Sequence, residues 1–542
     1  MYKNGSDYTY SRSDLNAFLE NKCVTWLDRY NLDFPGELVQ DKPTEQDKIV
    51  YKSGEEHEAR ILDSFQSEMD VAIIDRSDSA FHKTLAAMRQ GRQVIYQARL
   101  ALEPFAGWSD FLIHVPGHSE FGDWHYEVWD TKLARGMKPY FAIQLCCYSE
   151  MLEAVQGRLP EHAGIILGGG ERKVLKLSEY FFYYRSVKRA FLDQQQSFHR
   201  DEPPAFPGRA DYRHWTGHVT SLLEARNDVS LVANVRGAQI KKLATSGINT
   251  ERGLAESTLD AIPGMATESF DRLRSQARLQ LSSPPNGTPA YQFLPQSTEN
   301  RRQGFALLPP PSASDVVFDI EGYPMVEGGL EYLLGAVCRE SRELAFKDWW
   351  AHERSQEKAS FEGFVDWVYN RWKQDPAMHV YHDAAYETTA LKRLMCRYAS
   401  RESEVDELLR NHVFVDLYTV VRQALLVGEP SYSLKNIEHL YLHKRDGQVA
   451  TAGDSIVYYY RWLTSPDGDD WHSSPTLKLI RDYNRADCDS TWLLTEWLRE
   501  RQREAGCEYV PPEPPAELAP ETTGRAALAR EMLAQIPVDR ER

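Results

Sequence analysis

The stretch Asp315–Glu321 (DVVFDIE) joins a run of buried-strand residues to two carboxylates. On a strand, alternate residues point to the same face, so Asp319 and Glu321 face the same way. Two carboxylates at this spacing repel each other unless a cation lies between them. The stretch therefore predicts a strand that presents a metal site.

The elements around this strand follow a recognisable order. Two further strands, a helix, a fourth strand and a last helix are predicted at Tyr332–Val337, Leu344–Trp350, Phe361–Trp372, His379–His382 and Pro475–Trp497. Proline suits the first helical position, because the N–H that it lacks has no intrahelical partner there. Three strands, a helix, a strand and further helices is the order of an RNase H-like fold, which we expect over residues 312–500.

Further acids are expected to join the pair. Glu387 follows the fourth strand, and Tyr483 and Asp487 are four apart on the last helix, so they share a face. Asp319, Glu321, Glu387 and Asp487 would then form a two-metal site for phosphodiester hydrolysis. Tyr483 is expected to orient the attacking water.

These motifs resemble the DnaQ-like (DEDD) 3′–5′ exonucleases whose last motif is Tyr-x-x-x-Asp. More narrowly, they resemble the RNase H-like domain fused behind RecB-like nucleases in bacterial proteins. Glu387 stands where most exonucleases have aspartate, and Asp383 stands where they often have asparagine. Asp383 is therefore a second candidate for that ligand, and Asp416 is a secondary candidate. The alternative is an RNase H-like scaffold that retains its acids without turnover.

A second acidic pattern lies in the first 200 residues. Strands predicted over 110–115 and 126–131 carry Asp110 and Asp130, and Lys132 shares a face with Asp130. Carboxylates can bind the divalent ion that activates water, and a neighbouring ammonium can stabilise the pentavalent phosphate. The alternative is a surface ion pair between Asp130 and Lys132.

Two flanking motifs extend this pattern. Gly54-x-x-His57 offers a nitrogen ligand suited to Mn²⁺ as well as Mg²⁺. Gln144 and Tyr148 are four apart on a helix that Pro139 opens. In this order the motifs resemble the RecB-like branch of the PD-(D/E)XK nucleases. The resemblance implies that His57, Asp110 and Asp130 bind metal and that Lys132 is the catalytic lysine. It also implies that Gln144 and Tyr148 position the nucleic acid.

Many RecB-like nucleases hold an iron–sulfur cluster with one early cysteine and three later ones. Cys23 stands in the early place, but Asp211–Arg226 contains no cysteine. Because such a cluster needs four thiolates, we expect no iron–sulfur cluster. Packing around Trp215 is expected to replace it, with Cys23 as a small packing residue.

Three proline-rich stretches, at 201–208, 281–314 and 510–520, divide the chain. The fold class expected is multidomain α/β. Its parts are a restriction-endonuclease-like α/β core over 1–205, a helical connector over 206–285, a linker over 286–311, the RNase H-like mixed-sheet domain over 312–500 and a proline-rich, helical tail over 501–542. Short helices broken by Gly-apolar turns favour a helix-hairpin-helix element in the connector; a plain helical spacer is the alternative.

Composition narrows the setting of the protein. The formal net charge of -17 argues against tight nucleic-acid binding by the bulk surface, so a partner or a narrow basic channel is expected to deliver the substrate. No apolar run approaches the roughly 18 residues of a membrane span, and the N-terminus lacks the apolar region of a signal peptide. Cytoplasm is the expected location. No phosphate-binding loop of the G-x-x-x-x-G-K-[ST] type occurs, so an ATPase is not expected.

The sequence thus predicts a Mg²⁺- or Mn²⁺-dependent deoxyribonuclease with a RecB-like site and a second, 3′–5′ exonuclease-like site. DNA repair, recombination and anti-phage defence are all compatible settings. The expected partners are DNA, single-stranded or at duplex ends, and a helicase in cis or in trans, because proteins of this resemblance are often continued by a superfamily 1 helicase. The alternative is a catalytically degenerate subunit that binds nucleic acid and positions a partner helicase.

Overall fold

The computed structural model describes residues 1–134, 136–206, 208, 210–284, 287–296, 301–340, 343–442, 451–513, 527–528 and 531–532. Most of the predicted helical end, Ala526–Arg542, and part of the predicted linker therefore lie outside the described residues. The chain divides into two compact units, one of residues 1–291, 321–332 and 426–483, the other of residues 292–320, 333–425 and 484–542. The strand that carries Asp319 and Glu321 crosses this division, as does the helix that carries Asp487.

A six-stranded mixed sheet forms the centre of the first unit. Its strands are neighbours in chain order: Val71–Ile73, Val94–Leu102, Phe105–Ser119, Gly122–Lys132, His162–Leu167 and Arg172–Lys176. The first and second strands run parallel, as do the fourth and fifth, and the other neighbours are antiparallel. Phe111 pairs with Trp129, which places Asp110 and Asp130 on adjacent strands.

The first unit also contains helices, including those of the connector. They are Arg12–Glu20, Lys22–Asp33, Glu45–Glu68, Ala80–Arg89, Pro139–Gln156, Phe181–Gln196, Thr216–Ala225, Gly237–Thr245, Glu251–Ala255, Thr267–Ser282, Leu434–Ile437 and Ala452–Thr464. The helix predicted to open at Pro139 is confirmed, and it ends at Gly157, whose φ of 69° is the left-handed conformation that glycine adopts readily. Its buried face, with Leu145 and Tyr148, packs in one core with Tyr126 and Ile165 of the sheet.

A five-stranded sheet is the centre of the C-terminal part of the chain. Its strands lie side by side as Glu343–Trp350, Leu330–Glu340, Val316–Tyr323, Val380–His382 and Phe414–Asp416. Numbered in chain order this is 3-2-1-4-5, with strands 2 and 3 antiparallel and strands 1, 4 and 5 parallel. The strand predicted from DVVFDIE is thus central, which explains why its residues are mostly apolar.

Four helices and one long terminal helix accompany this sheet: Arg354–Gln374, Tyr386–Tyr398, Glu402–Arg410, Leu417–Ala424 and Pro475–Glu504. The predicted helix over Phe361–Trp372 lies inside the first of them, and the last continues past Trp497. Phe318 stacks on Phe364 with ring centroids 4.0 Å apart, which fixes the first helix against the central strand. Within the described ranges, no helix is both long enough and apolar enough to cross a membrane.

Cys23 and Trp215 belong to one apolar cluster in the first unit. Trp215 is fully buried there beside Trp26 and Tyr212, and its indole N–H donates to Asp28 Oδ1 at 2.9 Å. The Cys23 thiol lies 3.5 Å from the carbonyl oxygen of Ala205. The cluster therefore joins the second helix to the segment that follows residue 205 by side-chain packing.

Replacing Trp215 with alanine is expected to destabilise the protein by about 3–5 kcal/mol, because it opens a large cavity and leaves the Asp28 carboxylate without the indole donor. Urea unfolding followed by circular dichroism measures the change. Phe182→Ala is the matched control, since Phe182 is 83% exposed and should change the free energy of unfolding by less than about 0.5 kcal/mol. Equal effects of the two changes would contradict a packing role for this cluster.

Candidate active sites

The structure brings three of the predicted acids of the C-terminal part together. Carboxylate oxygens of Asp319, Glu321 and Asp487 all lie within 4.8 Å of one another. In the described parts of the chain this is the one group of three or more acid, histidine or cysteine ligands that meets this distance. Oxygen donors of this kind suit Mg²⁺ and Mn²⁺, and their mutual repulsion favours a cation among them.

A neutral amide holds Asp319 in place. Asn484 Nδ2 donates to Asp319 Oδ2 at 2.6 Å. A Cβ at Gly335 would lie 1.7 Å from Asn484 Oδ1, so glycine on the neighbouring strand is required for this amide to fit. Asn484 is fully buried, and therefore the carboxylate it holds has a fixed position.

Glu321 is held by a hydroxyl network. Ser455 Oγ donates to Glu321 Oε2 at 2.8 Å, and the Tyr332 and Ser455 hydroxyls are hydrogen-bonded to each other. The Tyr332 ring stacks on Tyr459, with centroids 3.8 Å apart and planes within 5°. The burial of Tyr332 raises its pKa well above the ordinary value, and the Glu321 charge adds to this effect, so the phenol stays a hydrogen-bond donor.

Tyr483 and Asp487 lie four residues apart on the helix Pro475–Glu504, and so they share a face of that helix. The Lys435 ammonium lies 5.1 Å from the centroid of the Tyr483 ring. Asp489, two residues further on, is 3.7 Å from Arg485 Nε and so belongs to an ion pair on the same helix.

The three candidates for the remaining ligand, Glu387, Asp383 and Asp416, lie close to one another. Glu387 is buried on the first turn of its helix, with Oε2 3.4 Å from His382 Nδ1, and it is not in the three-acid group. Burial raises the pKa of Asp383 to about 7, and the charges of Glu387, Asp416 and Asp487 act in the same direction. Asp416 accepts hydrogen bonds from the Thr419 amide and hydroxyl and from the Ala384 amide, so its oxygens are used to cap a helix.

Residues 316–499 match the family model of the RNase H superfamily. The match covers about a third of the chain and includes the three-acid group and the whole five-stranded sheet. No curated protein matches the chain. The predicted RNase H-like domain is therefore confirmed, and nucleases of this fold use divalent metal ions at such acids.

The second acidic site lies on the six-stranded sheet. Asp110 and Asp130 are both buried; Asp110 Oδ2 accepts from the amide and hydroxyl of Thr131 at 2.8 and 2.9 Å. Gln144 Nε2 donates to Asp130 Oδ2 at 2.7 Å, and the Lys132 ammonium pairs with the same oxygen. The structure thus places Lys132 and Gln144 beside Asp130, while Tyr148 donates its hydroxyl to the Trp108 carbonyl.

The two aspartates differ in charge state. Burial and the negative charge of Asp130 together raise the pKa of Asp110 to about 8, against the opposing effect of Lys132 and Arg12. Burial also acts to raise the pKa of Asp130, but the ammonium of Lys132 and the guanidinium of Arg12 outweigh it and leave that pKa below the ordinary value. Asp130 is consequently the permanent carboxylate of the pair.

His57 does not lie with these two aspartates. It lines a cavity of about 490 Å³ with Arg60, Gly168 and Tyr323, and its Nε2 is buried without a hydrogen-bond partner in the described part of the chain. Burial lowers its pKa, so the ring is neutral. Successive residues of a helix point about 100° apart. Glu58, the residue after His57, therefore lines a different cavity, which Asp110 also lines.

Sequence reasoning missed two residues of this site, Arg12 and Glu58. Arg12 Nη1 lies 3.8 Å from Asp130 Oδ1, although more than a hundred residues separate the two. No spacing pattern links an N-terminal arginine to a strand so distant. Glu58 had a signal, since it directly follows Gly54-x-x-His57, but the Glu-rich run did not indicate which side chain would face the sheet.

The three-acid group is expected to bind one divalent cation directly. In a protein that carries Asp110→Asn, so that the other site contributes less, Asp319→Asn should weaken Mn²⁺ binding at least about tenfold, because it removes one of three charged ligands. Isothermal titration calorimetry measures the affinity. Asp482→Asn, on the exposed side of the same helix as Asp487, is the matched control and should leave the affinity unchanged. Unchanged Mn²⁺ affinity in the Asp319 variant would contradict this assignment.

Proposed function

We propose that this chain is a divalent-metal-dependent nuclease that hydrolyses DNA at two separate sites. The observation that carries the proposal is the convergence of Asp319, Glu321 and Asp487 within an RNase H-like domain. These carboxylates would hold Mg²⁺ or Mn²⁺, which when bound activates water and balances charge on the phosphate. The proposed polarity at this site is 3′ to 5′.

The residues around the three acids have defined tasks in this proposal. Asn484 and Ser455 hold Asp319 and Glu321 in position, so that no rearrangement is needed when an ion arrives. The Tyr483 phenol, one turn before Asp487, orients the water that attacks the phosphate. Glu387, on the helix that begins at Tyr386, or Asp383, which precedes that helix, supplies the remaining carboxylate.

The site on the six-stranded sheet supports a second activity of the RecB-like, PD-(D/E)XK kind. Asp110 and Asp130 supply carboxylates, Lys132 a cation for the pentavalent phosphate, and Gln144 holds Asp130. In this proposal Glu58, which lines the same cavity as Asp110, takes the metal-ligand role that the sequence motif gave to its neighbour His57 on the helix Glu45–Glu68.

The proposed substrate is DNA, single-stranded or at duplex ends, and the proposed settings are DNA repair, recombination or anti-phage defence. The net charge of -17 supports a role in which a partner delivers the strand, and we propose a helicase in cis or in trans as that partner. A narrow basic channel would serve the same purpose.

Replacing Lys132 and replacing Asp319 should each reduce a different cleavage product. Lys132→Ala is expected to reduce cleavage at the PD-(D/E)XK-like site about 100-fold or more, as expected for the loss of electrostatic stabilisation of the transition state. Asp319→Ala should remove trimming from 3′ ends. Single-stranded and duplex DNA labelled at either end, with Mg²⁺, Mn²⁺ or EDTA, separates these products, and EDTA should stop both.

The controls are Lys176→Ala and Asp482→Ala, which are exposed residues on a sheet strand and on the last helix. Both should cleave as the parent protein does. If neither Lys132→Ala nor Asp319→Ala reduces any metal-dependent cleavage, the nuclease proposal fails. DNA binding that persists in a protein without any cleavage would favour the non-catalytic subunit instead.

A further inference from the structure

A cavity of about 520 Å³ opens beside Asp110 and is lined by more cations than acids. Arg12, Arg76 and Arg99 contribute guanidinium groups to it, and Trp108 contributes an aromatic ring. Cavities of this size hold small organic ligands, up to the size of a nucleotide. In a chain with a net charge of -17, this concentration of positive charge is a local feature that points to an anionic ligand.

Two of these arginines approach the Trp108 ring. The guanidinium carbons of Arg76 and Arg99 lie 5.7 and 5.5 Å from its centroid, within the range of cation–π attraction. Neither guanidinium has a carboxylate within 4.0 Å among the residues that the structure describes, and Trp108 is only partly buried. An aromatic face and unneutralised cations are therefore presented together to the cavity.

The Trp108 backbone is fixed to the acidic site. Its carbonyl accepts from the Tyr148 hydroxyl, and a Cβ at Gly107 would lie 2.8 Å from Tyr148 Cε1, so the strand and the tyrosine are in close contact. Gln97 donates to Glu58 and accepts from Arg76 at 3.4 Å. Its φ of 54° is rare for a residue with a side chain, and this conformation places its amide between the two charged groups.

Arg12 links this aromatic region to the aspartates. Its guanidinium carbon lies 5.4 Å from the centroid of the Tyr148 ring, and Nη1 lies 3.8 Å from Asp130 Oδ1. The cations thus continue from Trp108 to the carboxylates. The order of these groups is aromatic face, guanidinium, acid.

We infer that this cavity holds one unpaired nucleotide, with its base on Trp108 and its phosphate at Arg12, Arg76 and Arg99. The inference rests on the proposed nuclease function and adds the residues that would bind an unpaired nucleotide of a single strand or a frayed end. A base inside a duplex is already stacked on both faces and cannot lie on a tryptophan, whereas single-strand binders combine aromatic platforms with a basic groove. Base and phosphate are common to DNA and RNA, so the chemistry recognised is that of either single strand.

Binding without cleavage tests this inference. Fluorescence anisotropy in EDTA, with a labelled 12-nucleotide single-stranded DNA, the same sequence as RNA, and a blunt DNA duplex, gives the three affinities. Trp108→Ala should weaken single-strand binding roughly 5- to 150-fold, the range that base–aromatic stacking supplies, and Trp108→Phe should retain most of the affinity. Binding of the blunt duplex should be weaker than that of the single strand and should change little.

The arginines give a second measurement that does not depend on replacing the partly buried Trp108. Arg76→Gln with Arg99→Gln should reduce the slope of log affinity against log salt by about 1.4, because each lost phosphate contact on a single strand removes about 0.7. Arg89→Gln, an exposed arginine on a helix of the same unit, is the matched control and should leave affinity and slope unchanged.

Single-strand affinity that stays within twofold of the parent protein in both the Trp108→Ala and the double arginine variant would overturn the inference. Tightest binding of the blunt duplex would overturn it as well. Trp108-dependent binding that is stronger for RNA than for DNA would support the inference and identify the strand as RNA. Because no divalent ion is present, Trp108-dependent binding in a protein that never cleaves would leave this inference standing while the nuclease proposal fails.

Discussion

Repulsion between carboxylates that must stand close together is the constraint on which both acidic sites depend. In the RNase H-like domain two of the three acids accept hydrogen bonds from neutral donors, Asp319 from the amide of Asn484 and Glu321 from the hydroxyl of Ser455. Neutral donors fix the direction of a carboxylate but do not cancel its charge. The electrostatic demand for a cation therefore remains, and the buried surroundings of Glu321 make it stronger.

The site on the six-stranded sheet meets the same constraint with charges of its own. Lys132 and Arg12 lie beside Asp130, and Asp110 is protonated more readily than an ordinary aspartate because burial and Asp130 raise its pKa. The negative charge of this site is thus nearly balanced by cations of the protein itself. A metal ion entering here competes with Lys132 for Asp130.

Much of the C-terminal domain could be predicted because its signals are local. The two-residue spacing of Asp319 and Glu321 and the four-residue spacing of Tyr483 and Asp487 depend only on strand and helix periodicity, and the structure has both. The proline that opens the last helix and the apolar central strand are likewise properties of short segments. The hydrogen-bond partners of the acids could not be predicted in this way, because Asn484 and Ser455 lie far from Asp319 and Glu321 in sequence. The need for glycine at position 335 follows only from the Asn484 amide that packs against it.

Glu387 and His57 show where periodicity alone is insufficient. Both were assigned from motif order, and both lie on helices whose rotation about the axis is set by tertiary packing. Glu387 turns toward His382, a buried neighbour that the motif does not include. His57 lines a different cavity from Asp110, and Glu58 lines the cavity that Asp110 also lines. A shift of one residue on a helix changes direction by about 100°, so the position of a motif on a helix does not by itself determine which side chain faces the acids. The residue adjacent to a motif histidine therefore belongs in any mutational test of this site.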